Sequence, residues 1–395
     1  MKSISQVIAV IQFAIQTIPQ RKASSITTVV GIAGVVAVMI GVFSIALGFQ
    51  RTMNVAGDES VAMIMRSGSD SEMMSGLTRE STRVIADDVG LARNEQGSLS
   101  SAELFVIINL PKRDTGTDAN VPLRGVEAQA FNVRGKWKLI EGRAFAWGTN
   151  EVVVGRAAAA EFAGLDVGSS IQMGPNKWQV VGIFEESGGI SESEIWTDSA
   201  VLQPAYHRGD TFQSVYAKLN TADIFPEFKN RLESDPRLDV KVIRQTEYYA
   251  EQSGQLSIMI KVLGGFIAFL MALGAVFGAA NTMYAAVTSR TREIATLRAL
   301  GFSGPPIILS VLAESLFLSL LGGAIGATLA YLAMDGYQAA TLNWTTFSQV
   351  AFAFTVNKQL IIAGLIVAGT IGFVGGLFPA YSASRIPLAA ALREN

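Results

Sequence analysis

Residues 23–50 read ASSITTVVGIAGVVAVMIGVFSIALGFQ, and none of these side chains is charged. An α-helix rises about 1.5 Å per residue, so roughly 20 apolar residues cross a hydrocarbon core about 30 Å thick. This run is long enough to do so. It is also longer than the apolar core of about 7–15 residues in a secretory signal. A retained transmembrane helix is therefore the better interpretation.

Three more long stretches are free, or nearly free, of charged side chains. We predict that the chain crosses the membrane four times, at 23–50, 256–288, 304–334 and 358–383. The composition agrees, because the chain is 50% hydrophobic and only 16% charged, whereas a soluble globular chain usually carries about 25% charged residues. Net charge is −2, so nucleic acid is not an expected partner.

Several kinds of chemistry are excluded by composition. The chain has no Cys and one His, which removes disulfides, thiol catalysis and the usual zinc ligand sets. It also lacks a G-x-x-x-x-G-K-[ST] nucleotide loop, a G-x-S-x-G nucleophile elbow and an HExxH motif. We therefore predict a chain with no catalytic residue, no metal site and no bound cofactor. A membrane-anchored enzyme is the weakest alternative.

The positive side chains set the predicted orientation. They lie before the first helix, between the second and third, and after the fourth: Arg21, Lys22, Arg290, Arg292, Arg298, Arg385 and Arg393. Loops rich in Lys and Arg stay in the cytoplasm. Both termini and segment 289–303 are thus predicted to be cytoplasmic, with 51–255 and the short loop 335–357 outside. Ile and Val recur at helical spacing before Pro19, so 1–22 is predicted to be an amphipathic cytoplasmic helix, and 384–395 a cytoplasmic tail.

Segment 51–255 has the composition of a soluble domain. Strands are predicted from β-branched content at Phe105–Leu110, Glu151–Val154, Trp178–Phe184 and Val240–Ile243. Helices are predicted at Glu80–Asp88, Arg156–Phe162 and Phe225–Glu233. The fold class is therefore four transmembrane helices with a mixed α+β extracytoplasmic domain inserted between the first two.

Two polar stretches of this domain have several interpretations. Ser67–Gly76 reads SGSDSEMMSG, which predicts a mobile loop. Four carboxylates cluster at Glu185, Glu186, Glu192 and Glu194. They suit either a cation site or a solvated loop, and the solvated loop is the favoured interpretation.

The membrane helices contain pairs of glycines one turn apart, a spacing that lets helices approach closely in lipid. The pairs are Gly274 and Gly278, Gly322 and Gly326, and Gly372 and Gly376. They are predicted to pack helices within one chain or across a dimer. Glu314 is the ionisable residue of the third helix, where an interfacial or packing role is favoured. One such residue makes no polar path, which argues against a proton- or ion-coupled transporter.

Segment 289–303 reads SRTREIATLRALGFS and is unusually charged for its place between two apolar runs. Ile294, Leu297 and Leu300 recur at spacings of three, which predicts a short amphipathic helix with one apolar face. Taken alone, this segment could equally be a docking element or a basic anchor on anionic lipid.

This segment, the charge-free runs and the tail PAYSASRIPLAAALREN (379–395) resemble the permease subunits of bacterial type VII ABC transporters, the MacB-like and FtsX-like permeases. IEGRAFAWGTNEVVVG (140–155) and WQVVGIFEE (178–186) are similar to the external domain of the MacB-like branch.

The resemblance implies a homodimer in the bacterial inner membrane, served by two copies of a separate ATPase that binds ATP and Mg. A cytoplasmic coupling helix would dock into the ATPase, and ATP-driven closure would move the external domain. The implied coupling residues are Arg290, Arg292, Glu293, Ile294, Leu297, Arg298, Ala299 and Gly301.

Two functions fit this resemblance. One is export of a compound or a lipoprotein by mechanotransmission, with a periplasmic adaptor and an outer-membrane channel as further partners. The alternative is an FtsX-like signalling scaffold that activates periplasmic cell-wall hydrolases.

Overall fold

The computed structural model describes residues 22–300, 303–343 and 346–385. The chain forms two compact units. The helix unit holds the residues up to Leu47, Ile258–Tyr337 and the residues from Phe354 onward, and the sheet unit holds Gly48–Ser257 with Gln338–Ala353. The predicted helix over 1–22 and the predicted tail over 384–395 lie almost wholly outside the described residues.

Four long apolar helices are described, as the charge-free runs predict. In chain order, the α-helices are α1 (Lys22–Ala56), α2 (Arg79–Ala86), α3 (Ala130–Val133), α4 (Arg156–Glu161), α5 (Ser199–Ala205), α6 (Phe225–Ser234), α7 (Gln245–Ser289), α8 (Thr291–Ala299), α9 (Gly304–Met334) and α10 (Lys358–Ser384). The helices α1, α7, α9 and α10 are each long and apolar enough to cross a membrane. The shortest of them, α10, has 27 residues and so spans roughly 40 Å.

The helix α7 begins earlier than hydropathy alone indicates. The predicted transmembrane segment starts at 256, but the helix starts at Gln245 and continues without a break for 45 residues. Its first turns are polar in sequence, yet they bury Tyr248 and Tyr249 within the sheet unit. Burial of these two rings against a folded domain explains why a membrane-hydropathy criterion misses them.

Close approach of α9 to α1 depends on two of the predicted glycines. A Cβ atom added at Gly322 would lie 2.7 Å from the carbonyl oxygen of Val29. One added at Gly326 would collide with the carbonyl oxygen of Ala33. Only glycine lets the two backbones come this close.

A second close contact joins α10 to α9. A Cβ added at Gly372 would collide with the hydroxyl of Ser319, and one added at Gly376 would lie 2.7 Å from the Cβ of Ser315. By contrast, a Cβ added at Gly274 or Gly278 of α7 would meet no atom within 4 Å. Four of the six predicted packing glycines thus make contacts inside the helix unit, and the pair in α7 does not.

The sheet unit is built on one mixed sheet. In chain order, the strands are β1 (Val61–Arg66), β2 (Leu77–Thr78), β3 (Arg93–Asn94), β4 (Gly97–Ser98), β5 (Ser100–Pro111), β6 (Asp118–Val126), β7 (Lys138–Gly142), β8 (Glu151–Gly155), β9 (Ser170–Met173), β10 (Asn176–Glu185), β11 (Ile195–Asp198), β12 (Thr211–Phe212), β13 (Ser214–Lys218), β14 (Val240–Arg244), β15 (Gln338–Asn343) and β16 (Ser348–Ala353). The order in the main sheet is β14-β1-β13-β5-β6-β11-β8-β10-β7, with β9 also on β10.

This architecture confirms the predicted mixed α+β domain between the first two long helices. The strands predicted from β-branched content are all present, within β5, β8, β10 and β14. Most neighbours are antiparallel, but β6 and β11 run parallel, as do β8 and β10. Helices pack beside the strands, so apolar side chains such as Trp178 and Phe228 are fully buried.

The segment predicted as a short loop at 335–357 contains a β-hairpin. Strands β15 and β16 pair antiparallel from Gln338 opposite Ala353 to Asn343 opposite Ser348. The hairpin belongs to the sheet unit. The amide of Ala351 donates to the Ser193 hydroxyl at 3.0 Å, and the side chain of Asn343 donates to Gln252 at 2.9 Å. The sheet unit is therefore built from two separate parts of the chain.

We expect Gly326→Ala to destabilise the helix unit, because the new methyl group would meet the backbone of α1. Overpacking of this kind costs about 1–3 kcal/mol. Gly265→Ala in α7 is the matched control, since a Cβ there meets no atom within 4 Å. The measurement is the apparent melting temperature of the full-length protein in detergent. Equal melting temperatures for the two variants would contradict the packing described above.

Candidate functional site

The charged segment after α7 folds as a separate short helix. Arg290 interrupts the helical backbone with φ −112° and ψ 14°, and α8 follows directly. Within α8, Ile294 and Ala295 are buried, while Arg292, Glu293 and Thr296 are exposed. The helix thus has one face inside the helix unit and one face toward solvent.

The three residues of the predicted apolar face, Ile294, Leu297 and Leu300, differ in their exposure. Ile294 packs into a cluster that includes Val287 of α7 and Val311 of α9. Leu297 and Arg298 are half-buried, Ala299 is exposed, and Leu300 is 74% exposed. Gly301 lies outside the described residues. The surface available to another protein therefore consists of charged and small side chains next to Leu300.

Arg290 does not contribute to that exposed face. Its guanidinium is only 14% exposed, and it bridges two carboxylates. Its Nε donates to Glu293 at 2.9 Å, and its Nη1 donates to Glu314 of α9 at 3.1 Å. Glu314 itself is 3% exposed. Sequence spacing gave no sign of this pairing, because the two residues lie on different helices.

The sheet unit contains a second concentration of charge, which is buried. Arg124 of β6 makes paired hydrogen bonds to Glu194 at 2.7 and 2.8 Å and to Glu72 at 2.8 and 3.0 Å. Arg134 binds Glu103 with both terminal nitrogens, at 2.9 and 2.7 Å. We call these five residues the ion cluster. Each is at most 4% exposed.

Neutral groups complete the ion cluster. The Ser214 hydroxyl donates to Glu72 at 2.6 Å, and the Trp196 indole donates to Glu194 at 2.7 Å. The Arg134 guanidinium lies 4.2 Å from the ring centre of Tyr216, a cation–π contact. Buried charges need this degree of compensation, since the loss of hydration is otherwise not recovered.

The charges change the pKa values of their neighbours. Burial raises the pKa of the Glu72 carboxyl, but the positive charge of Arg124 outweighs it and holds that pKa below its usual range. Although burial opposes it, contact with Glu194 and Glu72 raises the pKa of Arg124 well above its usual value. Glu186 differs, because burial raises its pKa to about 7 and its Oε2 has no hydrogen-bond partner.

The burial of these acidic side chains corrects two predictions made from the sequence. The segment 67–76, predicted to be a mobile loop, buries Ser69, Ser71 and Glu72, and Glu72 is a member of the cluster. Of the four clustered carboxylates, Glu185 has a side chain that is 28% exposed, whereas those at 186, 192 and 194 are 2–4% exposed, so the solvated-loop interpretation is wrong for these three. Arginines meet two of them, since Arg156 reaches Glu192 at 3.2 Å and Arg124 reaches Glu194. Within the described ranges, no group of acidic or His side chains is placed to hold a metal ion.

We expect Arg124→Met to lower the stability of the full-length protein strongly, because Glu72 and Glu194 would remain buried without their cation. Breaking a buried pair in this way costs about 3–5 kcal/mol. Arg143→Met is the matched control. Its guanidinium also binds one carboxylate, Glu151, at 2.7 Å, but the Arg143 side chain is 57% exposed. An exposed pair contributes at most about 1 kcal/mol. Thermal unfolding in detergent would contradict the assignment if both variants lost the same stability.

We expect Glu186→Gln to raise the melting temperature at pH 8. The pKa is raised from 4.5 to about 7 on folding, so the carboxyl favours the folded state below its unfolded pKa, and this contribution disappears as pH rises through 7. At pH 8 the charged, buried carboxylate costs up to about 3 kcal/mol, which glutamine avoids. The difference between the two proteins should shrink as pH falls to 5. A difference that is independent of pH would refute the assignment.

Comparison with known proteins is consistent with both units. Residues 25–235 match the MacB-like periplasmic core domain, and residues 265–388 match the C-terminal region of FtsX-like permeases. The chain is 26% identical to the macrolide export ATP-binding/permease protein MacB of Bdellovibrio bacteriovorus, covering 96% of this chain and 60% of that protein. It is 23% identical to the ABC transporter permease YknZ of Bacillus subtilis, covering 97% of this chain and 98% of that one.

Among solved structures, the extracellular domain of YknZ aligns over 47% of this chain and all of that domain, with 16% identity and a TM-score of 0.36. The first match covers most of α1 and the chain from β1 to α6, and the second covers most of α7 together with α8, α9, the hairpin and α10. The chain is therefore a multi-pass membrane protein that belongs to the MacB-like and FtsX-like family of ABC transporter permeases.

Proposed function

We propose that this chain is the transmembrane subunit of an ABC transporter that converts ATP hydrolysis on a partner ATPase into movement of the sheet unit. ATP and Mg would bind the partner, because this chain contains no nucleotide-binding loop. Alignment along 98% of YknZ, which is described as a permease, supports this division of labour. The whole assembly would contain two permease copies and two ATPase copies in the inner membrane, with both termini cytoplasmic.

The observation that carries the proposal is the continuity of α7. Its first turns bury Tyr248 and Tyr249 in the sheet unit, and its last residue, Ser289, lies two residues before α8. A helix of 45 residues is roughly 70 Å long and resists compression along its axis. We therefore propose α7 as the path by which a displacement at α8 would reach the sheet unit.

The exposed face of α8 is the proposed docking surface. It presents Arg292, Glu293, Ala299 and Leu300, a mixture of charge and one large apolar side chain. Interfaces commonly combine a central apolar anchor with charged groups at the edge that set orientation. Leu300, at 74% exposure, is the proposed anchor.

A homodimer is part of the proposal. A groove of about 360 Å³ is lined by Gly31 of α1 and by Gly274, Gly278 and Thr282 of α7. Small side chains leave room there for the close approach of a helix, which is how membrane helices usually associate. A second copy of α7 would bring its own small residues to the same place.

Export of a compound or lipoprotein is the favoured output, through a periplasmic adaptor and an outer-membrane channel. Similarity to a macrolide exporter along 96% of the chain supports it. The alternative, an FtsX-like scaffold that activates cell-wall hydrolases, is supported by the match over 265–388. Deletion of the gene separates them: export predicts altered sensitivity to toxic compounds or mislocalised lipoproteins, whereas signalling predicts a defect in cell-wall cleavage with a co-purifying hydrolase.

We expect the tagged full-length protein, purified in mild detergent, to recover an ABC ATPase, and Leu300→Asp or Arg292→Glu to reduce that recovery about tenfold or more. A buried aspartate would remove the apolar anchor, and the reversed charge would repel the original partner group. Arg385→Glu, an exposed charge reversal at the end of α10, is the control and should recover as much ATPase as the native chain. Recovery of no ATPase by the native protein would refute the proposed function.

A further inference from the structure

Burial of the Glu314 carboxylate among apolar side chains costs free energy. Glu314 is the only acidic or basic side chain in α9, and it is 3% exposed among apolar neighbours such as Val311 and Leu318. An isolated carboxylate in such surroundings loses its hydration without compensation, so it persists only with a cation or strong hydrogen-bond donors. The structure places the guanidinium of Arg290 3.1 Å from its Oε2.

Arg290 is placed to connect the buried carboxylate with the exposed helix face. Nε of the same guanidinium donates to Glu293, whose side chain is 46% exposed. The fork of the guanidinium fixes both directions at once, because its nitrogens lie in one rigid plane. Arg290 also sits at the break between α7 and α8, where the backbone leaves the helical conformation. The direction in which α8 departs therefore depends on what holds this side chain.

Ser315, the residue that follows Glu314, makes a second contact from the same turn of α9. The Ser315 hydroxyl donates to the backbone carbonyl of Gly372 in α10 at 2.6 Å. Two successive residues thus connect α9 to the junction of α7 and α8 through an ion pair, and to α10 through a buried hydrogen bond. This turn is a common anchoring point for three helices.

We propose that Arg290 and Glu314 are positioning residues that fix the orientation of α8, so that Arg292, Glu293 and Leu300 are presented together to the ATPase. The inference rests on the proposed function, and it adds Glu314, a buried residue outside the proposed docking surface, to the determinants of docking. A partner group that binds Glu293 would compete with Arg290 for that carboxylate. The change at Arg290 would then reach Glu314 and the turn of α9 that holds α10.

The orientation of α8 can be measured without any ATPase. The chain has no native cysteine, so Thr296→Cys on exposed α8 and Leu321→Cys on α9 accept two nitroxide labels without background. Pulsed electron–electron double resonance then gives the distribution of distances between the two labels, one on each helix. We expect a narrow distribution in the native background and a broader or shifted one after Glu314→Gln, which keeps the volume but removes the charge.

Further variants separate positioning from misfolding. Arg290→Met should broaden the distribution as Glu314→Gln does, and the double variant should be no worse than either single one, because both changes break the same pair. The charge exchange Arg290→Glu with Glu314→Arg should narrow the distribution again. Arg385→Met, at an exposed arginine after α10, is the matched control and should leave the distance distribution unchanged. An unchanged distribution after Glu314→Gln would overturn the proposal.

The second readout is docking itself. With monodisperse protein, Glu314→Gln should lower ATPase recovery about tenfold, the effect of losing a charge-assisted hydrogen bond that holds the surface in place. A broader distance distribution in Glu314→Gln, together with full recovery of the ATPase, would also overturn the proposal. Failure of the native chain to recover an ATPase would refute the proposed function instead, while the distance measurements would still test the pair.

Discussion

The helix unit is organised by the requirement that backbone N–H and C=O groups inside lipid find their partners within the protein. Four apolar helices satisfy this requirement, because each closes its own hydrogen bonds. The helices must also come together without a hydrophobic driving force, and glycines make this possible. Gly322 and Gly326 let the backbones of α9 and α1 touch, and Gly372 and Gly376 leave room for serine side chains of α9. The same requirement moves most charged side chains out of the helices. Glu314 is retained inside α9 because Arg290 lies beside it.

The sheet unit differs from the helix unit because it buries charged side chains in its interior. Its ion cluster joins five separate segments of the chain, since Glu103 and Arg124 lie on β5 and β6 and the other three members, Glu72, Arg134 and Glu194, lie outside the α-helices and strands. An apolar core of the same volume could be as stable, but it would specify their relative positions less strictly. The Tyr248 hydroxyl accepts a hydrogen bond from the amide of Glu72 at 3.2 Å, so the first turns of α7 join this arrangement.

Patterns among residues close together in the sequence predict many of the helices and strands. Charge-free runs predict the four helices, and β-branched stretches such as Glu151–Val154 predict strands, because both depend on neighbours along the chain. Partners distant in sequence were not predictable. The pairing of Arg290 with Glu314 and of Arg124 with Glu72 requires the tertiary fold, and so buried glutamates at 72, 186 and 192 resembled loop residues. The apolar spacing of Ile294, Leu297 and Leu300 predicted a helix correctly, but spacing does not tell which apolar residue faces the protein's own core.

The hairpin between α9 and α10 changes the mechanical character of the molecule. Because Gln338–Ala353 belongs to the sheet unit, the chain passes between the two units four times, once from each long helix. A domain carried on two adjacent links can swivel about them. A domain joined by four connections has less freedom than that, because each added connection closes another loop of limited length. The independent movement of the sheet unit is therefore restricted by connectivity alone.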